Sequence, residues 1–270
     1  MSPSDSAPAS APRPADGAPA RALSFDLAAA QYAAARPGYP PVLYEAVEEL
    51  AGRPLRGAVV VDVGAGTGLA TRGLTGRGAR VIAVEPGPAM AAELRRALPE
   101  AAVVRGDGNR LPLASGSADL VTYAQSWHWT DPPRSYPEAV RVLRPGGALA
   151  LWWNVADEDV PWVAAQDARL RRFLGARSGA HDTPQAVRRD LAGPAADPVL
   201  AGRLLPWTRA VPVETHLANL SSHSAFLVLG PDRAGDVRRF LADERARLLE
   251  RFPDGVVEER YVVELTVLTP

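Results

Sequence analysis

The chain has 270 residues, 47% of them hydrophobic, and its 30 basic and 31 acidic side chains give a formal net charge of -1. Such a balance argues against a nucleic-acid binder that depends on a broad basic field. All the basic residues are arginine and cysteine is absent, which excludes Schiff-base chemistry, lysine-dependent phosphate loops, thiolate nucleophiles and metal–thiolate sites.

The first 22 residues are rich in proline, alanine and serine, and this composition predicts a disordered tail. They lack the charged start and apolar run of a signal peptide. No stretch of the sequence approaches the roughly 20 apolar residues of a membrane span. We therefore expect a soluble, cytoplasmic protein with no nucleic-acid or membrane partner, whose oligomeric state the sequence leaves open.

Two helices are predicted before the first strand. Apolar residues recur at helical spacing from Leu23 to Ala35, and Pro37 ends that segment because the residue before a proline avoids helix. A second helix follows Pro40 and stops near Gly52.

Short apolar strands then alternate with helices. The strands are predicted at residues 58–63, 80–85, 103–104, 118–124 and 148–153, with helices near 69–76, 88–98 and 136–143. Such alternation predicts β-α-β units and a parallel sheet covered on both faces. After Asn154 the pattern predicts helices at 161–174, 214–229 and 232–252 and strands at 205–213 and 259–268.

The strongest motif is VVDVGAGTG at residues 60–68, a strand that enters a glycine-rich turn before a helix. Such a turn lets the backbone approach a nucleotide closely, although glycines also serve tight turns for structural reasons alone. Asp62 and Leu69 argue against a dinucleotide, since those positions are normally apolar and small, respectively. Glu85 ends the second strand, where a carboxylate can accept hydrogen bonds from ribose hydroxyls.

With these motifs in place, the chain resembles class I S-adenosylmethionine-dependent methyltransferases, of the type 11 or UbiE-like group and the trans-aconitate methyltransferase-like branch. The matching pieces are VVDVGAGTG (60–68), VIAVEP (81–86), GDGNRLPL (106–113), ADLVTYAQSWHW (118–129), EAVRVLRPGGALAL (138–151) and YAAARPGY (32–39). The resemblance implies an α/β, Rossmann-like fold. Its sheet would have seven mostly parallel strands with helices on both faces, an N-terminal lid helix and an inserted cap.

The composition of the tail and the change of pattern after Asn154 predict the domain organisation, and the matching motifs place the cofactor in the segment before residue 155. Residues 1–22 would form the tail, and 23–154 the cofactor-binding core with its lid. Residues 155–203 would form a cap inserted over the substrate site, and 204–270 would complete the sheet.

The resemblance also implies a set of residues that bind S-adenosylmethionine. Glu85 would hold the ribose, Met90 would pack on the adenine, Asp107 would accept a hydrogen bond from the adenine amino group, and Asp62 would approach the cofactor ammonium. Arg36 would pair with a carboxylate of the cofactor or the substrate. The full expected set is Tyr32, Arg36, Asp62, Gly64, Ala65, Gly66, Gly68, Glu85, Pro86, Met90, Asp107, Gly108 and Gln125.

Aromatic residues follow the fourth and fifth predicted strands, at the edge where open α/β sheets bind ligands. We expect the substrate to contact Trp127, Trp129, Trp153 and Asn154, with the alternative that the tryptophans simply pack in the core. His128 is a candidate base or positioning residue, although an activated methyl donor does not always need a base. The remaining histidines are too scattered to predict a metal site.

The predicted function is methyl transfer to a small-molecule acceptor, such as a carboxylate or an aromatic natural-product intermediate. Two alternatives remain open. S-Adenosylmethionine could itself be the substrate, by intramolecular cyclisation that releases methylthioadenosine, or the chain could be a non-catalytic cofactor-binding module.

Overall fold

The structure, a computed structural model, describes residues 36–175, 199–222, 226, 229 and 231–270. In this part of the chain seven strands form one sheet of order β3-β2-β1-β4-β5-β7-β6. The strands are β1 (Val59–Val63), β2 (Arg80–Glu85), β3 (Ala102–Arg105), β4 (Ala118–Ala124), β5 (Leu143–Ala156), β6 (Val199–Pro212) and β7 (Val256–Thr269). Strands β1 to β5 run parallel, whereas β7 is antiparallel to both of its neighbours.

Helices cover the two faces of this sheet. Those within the described residues are α1 (Pro41–Leu50), α2 (Leu69–Gly76), α3 (Pro88–Ala97), α4 (Pro132–Val142), α5 (Pro161–Leu174), α6 (Val213–Ser221) and α7 (Ala234–Arg251), with short 3-10 turns at Trp127–Trp129 and Pro231–Arg233. Helices α1, α3, α4 and α5 carry proline in the first turn. Proline suits that position because its missing N–H would have no partner within the helix.

The core lies on both faces of the sheet, because successive side chains of a strand point to opposite sides. In β1, Val60 packs in the cluster that contains residues of α1 and α2, while Val61 packs with residues of α4. Both valines are fully buried. The predicted Rossmann-like α/β fold with a mostly parallel seven-stranded sheet is confirmed.

Several elements differ in extent from the prediction. Helix α4 begins at Pro132 rather than Tyr136, since prolines are tolerated in a first helical turn. Strand β6 begins at Val199 rather than Leu205 because it pairs with β7 along its full length. Helix α6 ends at Ser221 rather than Leu229. The predicted tail 1–22, the lid segment 23–35 and cap residues 176–198 lie outside the described residues.

The strand order reverses between β1 and β4, the central pair of the parallel region. Connections from these two strands leave toward opposite sides, which opens a crevice at the carboxyl ends of the strands. In the described ranges, no helix has both the length and the apolar character needed to cross a membrane.

Candidate active site

A cavity of about 480 Å³ lies at the carboxyl ends of β1, β2, β3 and β4. This volume falls within the range of small-molecule sites. Its walls combine the glycine-rich loop, the ends of these strands and the segment before α1. The lining residues are Arg36, Pro37, Tyr39, Val63, Gly64, Ala65, Gly66, Thr67, Leu69, Ala70, Glu85, Pro86, Met90, Arg105, Asp107, Gly108, Asn109, Tyr123, Ala124, Gln125, Ser126, Trp129 and Thr130.

The loop after β1 needs glycine for two separate reasons. Gly64 has φ +68°, and a Cβ there would lie 2.5 Å from the Cβ of Ser126. Gly66 has φ +58°, and a Cβ there would meet no protein atom within 4 Å. Gly64 therefore permits close packing of the loop against the residues after β4, whereas Gly66 keeps a left-handed backbone beside open space.

Glu85 places its carboxylate on the cavity wall while its side chain is 6% exposed. One oxygen accepts a hydrogen bond from the Gly66 amide at 2.8 Å, and the other accepts one from the Gly87 amide at 2.7 Å. These bonds fix the plane of the group. A carboxylate that is held in this way at the end of a parallel strand is the kind of group that accepts hydrogen bonds from ribose hydroxyls.

Residues after β2 and β3 complete this side of the cavity. Pro86, Met90 and Gly108 line it, as does Asp107. One Asp107 oxygen accepts hydrogen bonds of 3.0 Å from both the backbone and the side-chain amide of Asn109. The structure thus brings two carboxylates and an apolar wall together in one cavity, which is the combination that the sequence predicts for a nucleoside site.

Asp62 lies behind the glycine loop and is not among the residues that line the cavity. It is fully buried, and its two oxygens accept hydrogen bonds from the hydroxyls of Thr71 at 2.7 Å and Thr122 at 3.1 Å. Burial raises the pKa of Asp62 to about 6, and the hydroxyl bonds offset part of that rise. Its expected contact with the cofactor ammonium stays a prediction.

Arg36, Tyr39, Gln125 and Trp129 also line the cavity. Gln125 and Trp129 follow β4, which lies on the far side of β1 from β2 and β3, and Tyr39 bonds to Gln125. The guanidinium of Arg36 donates a hydrogen bond of 3.3 Å to the carbonyl of Ser222, at the end of α6. The β4 side therefore presents a cation with amide and aromatic groups, whereas the β2–β3 side presents Glu85 and Asp107 together with Arg105.

The remaining predicted site residues of the described ranges do not line the cavity. Trp127 and Trp153 are buried in the core cluster that contains Tyr123. His128 is exposed, and its Nδ1 accepts a hydrogen bond of 3.4 Å from the Trp153 indole. Asn154 accepts a hydrogen bond from the Trp207 indole at 2.9 Å, and Gly68 caps α2. Tyr32 lies outside the described residues.

Sequence reasoning assigned no role to several residues of the cavity wall, among them Tyr39, Arg105, Asn109 and Thr130. Tyr39 was named only within the YAAARPGY segment, so position in that motif was the available signal. Within the described ranges, no three histidine, aspartate or glutamate side chains come together as a metal site requires.

Comparisons of the sequence and of the structure with known proteins agree on one family. The family model Methyltransf_11, a methyltransferase domain, matches residues 61–151. An uncharacterized methyltransferase of Mycobacterium tuberculosis is 37% identical to this chain, over 86% of this chain and 87% of the relative. A malonyl-[acyl-carrier protein] O-methyltransferase of Halorhodospira halophila is 33% identical, over 89% of this chain and 83% of the relative.

Among solved structures, one described as a type II methyltransferase from Anaeromyxobacter dehalogenans superposes with a TM-score of 0.63. It is 27% identical, and the match covers 86% of this chain and 96% of that one. Sequence and fold agree, and the chain belongs to the class I S-adenosylmethionine-dependent methyltransferases.

Proposed function

We propose that this enzyme transfers the methyl group of S-adenosylmethionine to a carboxylate of a small-molecule acceptor, forming a methyl ester. The observation that carries the proposal is a guanidinium that lies apart from the carboxylates of the cavity. Glu85 and Asp107 lie on the β2–β3 side, where Arg105 also lines the cavity, whereas Arg36 belongs to the segment that meets Gln125 on the β4 side. A nucleoside fits the first side and an anionic acceptor fits the second.

The fit of the cofactor rests on the Glu85 side. The Gly66 and Gly87 amides hold the Glu85 carboxylate in one orientation, so it can accept hydrogen bonds from ribose hydroxyls without first being ordered. Met90 offers an apolar surface to the adenine, and Asp107 accepts from the adenine amino group. When bound, S-adenosylmethionine supplies a methyl carbon already activated by its attachment to a sulfonium.

The acceptor class rests on Arg36. A guanidinium binds a carboxylate through two parallel hydrogen bonds, and an anion beside the sulfonium also lowers the electrostatic energy of the pair. The Halorhodospira relative, by its name, methylates an acyl-carrier-protein-bound malonyl group. That name supports an oxygen acceptor for this chain.

A carboxylate acceptor also requires no catalytic base, and His128 does not line the cavity. A carboxylate is already deprotonated near neutral pH, so positioning rather than proton removal lowers the barrier. The Trp153 indole N–H occupies Nδ1 of His128, which places the ring proton of the neutral form on Nε2. In that tautomer neither ring nitrogen is poised to take a proton from an acceptor.

The first test is calorimetry with S-adenosylmethionine, together with mass spectrometry of the protein incubated with S-adenosylmethionine alone and with a panel of carboxylic acids and phenols. We expect binding without turnover in the absence of an acceptor, and a methyl ester with one of the acids. Methylthioadenosine formed without an acceptor would show that the cofactor is the substrate. A methylated phenol as the sole product would contradict the carboxylate assignment, and absence of binding would contradict the whole proposal.

A further inference from the structure

Gln125 has φ +56° and is the sole non-glycine residue with positive φ in the described ranges. It follows β4 directly and lines the cavity. A left-handed backbone at a residue with a side chain is strained and persists only where the surroundings enforce it. Here the backbone N–H of Gln125 donates a 2.8 Å hydrogen bond to the backbone carbonyl of Trp152 on β5. Glycine would adopt this conformation without strain, so the side chain is retained at a cost.

The side chain of Gln125 is directed at Tyr39. Its Nε2 donates a hydrogen bond of 3.3 Å to the Tyr39 hydroxyl oxygen, and both residues line the cavity. The Tyr39 ring also packs edge-on against Trp152, with ring centroids 5.8 Å apart at 87°. Trp152 is fully buried. The phenol is therefore held at its ring by the core and at its oxygen by the strained residue.

The direction of that hydrogen bond determines what the phenol presents. A hydroxyl has one donor hydrogen and two acceptor lone pairs. Because the side-chain amide of Gln125 donates to the Tyr39 hydroxyl oxygen, the hydroxyl hydrogen of Tyr39 is directed away from Gln125. Tyr39 lies three residues after Arg36 and meets Gln125 on the β4 side of the cavity, whereas Glu85 and Asp107 lie on the β2–β3 side. The Arg36 guanidinium and the Tyr39 hydroxyl are two hydrogen-bond donors on one short segment. They match the two oxygens of a carboxylate better than they match an uncharged acceptor molecule.

We propose that Tyr39, positioned by the strained Gln125, donates a hydrogen bond to the acceptor carboxylate and selects anionic over neutral acceptors. This inference rests on the proposed function, since it concerns the acceptor of the same site. Gln125 acts as the positioning residue, and its backbone strain maintains the phenol orientation.

The experiment measures binding of benzoate and of its neutral counterpart benzamide to protein saturated with S-adenosylhomocysteine, by calorimetry. We expect wild-type protein to bind benzoate more tightly than benzamide. Tyr39→Phe, which keeps the ring on Trp152, should weaken benzoate binding about tenfold, the loss of one hydrogen bond to a charged group. It should leave benzamide and S-adenosylhomocysteine affinities unchanged. Tyr136→Phe removes a phenol hydroxyl outside the cavity and serves as the matched control.

Gln125→Gly separates positioning from a merely structural role. Glycine relieves the positive φ, so the urea midpoint should stay the same or rise, while benzoate binding should weaken. Both substitutions remove the same hydrogen bond, between Gln125 and the Tyr39 hydroxyl. The double variant should therefore lose little more benzoate affinity than Tyr39→Phe alone.

The outcomes are distinct. Failure of S-adenosylhomocysteine to bind wild-type protein would contradict the proposed function itself. Normal S-adenosylhomocysteine binding with no saturable benzoate binding, with equal affinity for benzamide, or with no effect of Tyr39→Phe would overturn only this inference. A Gln125→Gly variant with lowered stability and unchanged benzoate affinity would show that the strain has no positioning role.

Discussion

Two regions of the molecule hold buried carboxylates in opposite ways. At the cavity, the Glu85 carboxylate is held by backbone amides of Gly66 and Gly87. Between α5, α7 and β7, Glu244 and Glu259 are instead bound by side-chain cations, with at most 1% of either side chain exposed. The first arrangement orients a carboxylate on the cavity wall, whereas the second links two helices and a strand of the fold through ion pairs.

The second region is a connected network. Glu244 accepts hydrogen bonds from the Arg169 guanidinium at 2.6 and 2.8 Å and from Gln166 at 3.3 Å. His216 bridges Gln166 at 3.0 Å and Glu259 at 2.7 Å, and Arg209 pairs with Glu259. Burial alone would raise the pKa of Glu259, but the hydrogen bonds from His216 and Arg209 outweigh it and lower the pKa. We expect variants of the two regions to separate stability from ligand binding.

The largest expected effect is on stability. Glu244→Ala should lower the free energy of unfolding by about 3–5 kcal/mol, because it leaves the Arg169 guanidinium without its buried partner. Urea unfolding measures the loss. The control is Glu214→Ala, which breaks an exposed ion pair with Arg245 and should leave stability unchanged. Equal stability of the two variants would show that the buried network contributes nothing.

Glu85→Ala should instead weaken ligand binding and leave the stability of the fold nearly unchanged. Removal of the ribose-binding carboxylate should weaken S-adenosylmethionine binding about a hundredfold or more, since hydrogen bonds to a charged group contribute roughly 1.5–3 kcal/mol each. The fold should remain intact. Calorimetry provides the measurement, and Glu93→Ala on α3, whose partner is the exposed Arg96, is the control. Unchanged affinity in Glu85→Ala would remove Glu85 from the cofactor site.

Asp62 differs from both regions because its buried carboxyl is bound by neutral hydroxyls. Its pKa in the folded protein, about 6, exceeds the ordinary value of 3.8, so the folded state binds this proton more tightly than the unfolded state. The contribution to stability is complete below pH 4 and is lost as the pH rises through 6. Relative to wild type, Asp62→Asn should therefore gain roughly 2 kcal/mol between pH 4 and pH 7. Urea midpoints at the two pH values test this, and a pH-independent difference would contradict it.

The smallest expected effect is that of His128→Ala. Because His128 is exposed and does not line the cavity, methyl transfer to an acid acceptor should change by less than about threefold. General-base catalysis typically contributes roughly 10²–10⁴-fold. A loss in that range, measured at saturating S-adenosylmethionine, would restore His128 as a base.

Local patterns in the sequence are enough to predict the alternation of strands and helices, whereas the expected contacts of Met90 and Asp107 with a nucleoside come from the family resemblance. Strands β2 and β4 occupy the predicted residues, because a buried parallel strand is a short apolar run bounded by turn residues. Glu85 ends β2 and Asp107 comes shortly after β3, and parallel strands bring such ends to one edge. Gly66 and Met90 line the cavity, and their contacts with a cofactor stay predictions.

The acceptor side needed the tertiary structure, as the Trp127–Trp129 turn shows. A 3-10 helix has three residues per turn, so three consecutive side chains point in three directions. Trp127 is buried in the core, His128 is exposed and Trp129 lines the cavity. The sequence could place this aromatic cluster at the active edge, but it could not assign each ring to core, solvent or cavity.

The same limit applies to Tyr39 and Gln125, which are 86 residues apart in the chain. Their hydrogen bond depends on a positive φ after β4 and on the passage of the segment before α1 over Trp152. Neither feature leaves a periodic pattern in the sequence. The sequence by itself determined the order of strands, glycine turns and carboxylates, since these depend on neighbouring residues. Only the tertiary structure decided which side chains of distant segments share the cavity, since that depends on long-range packing.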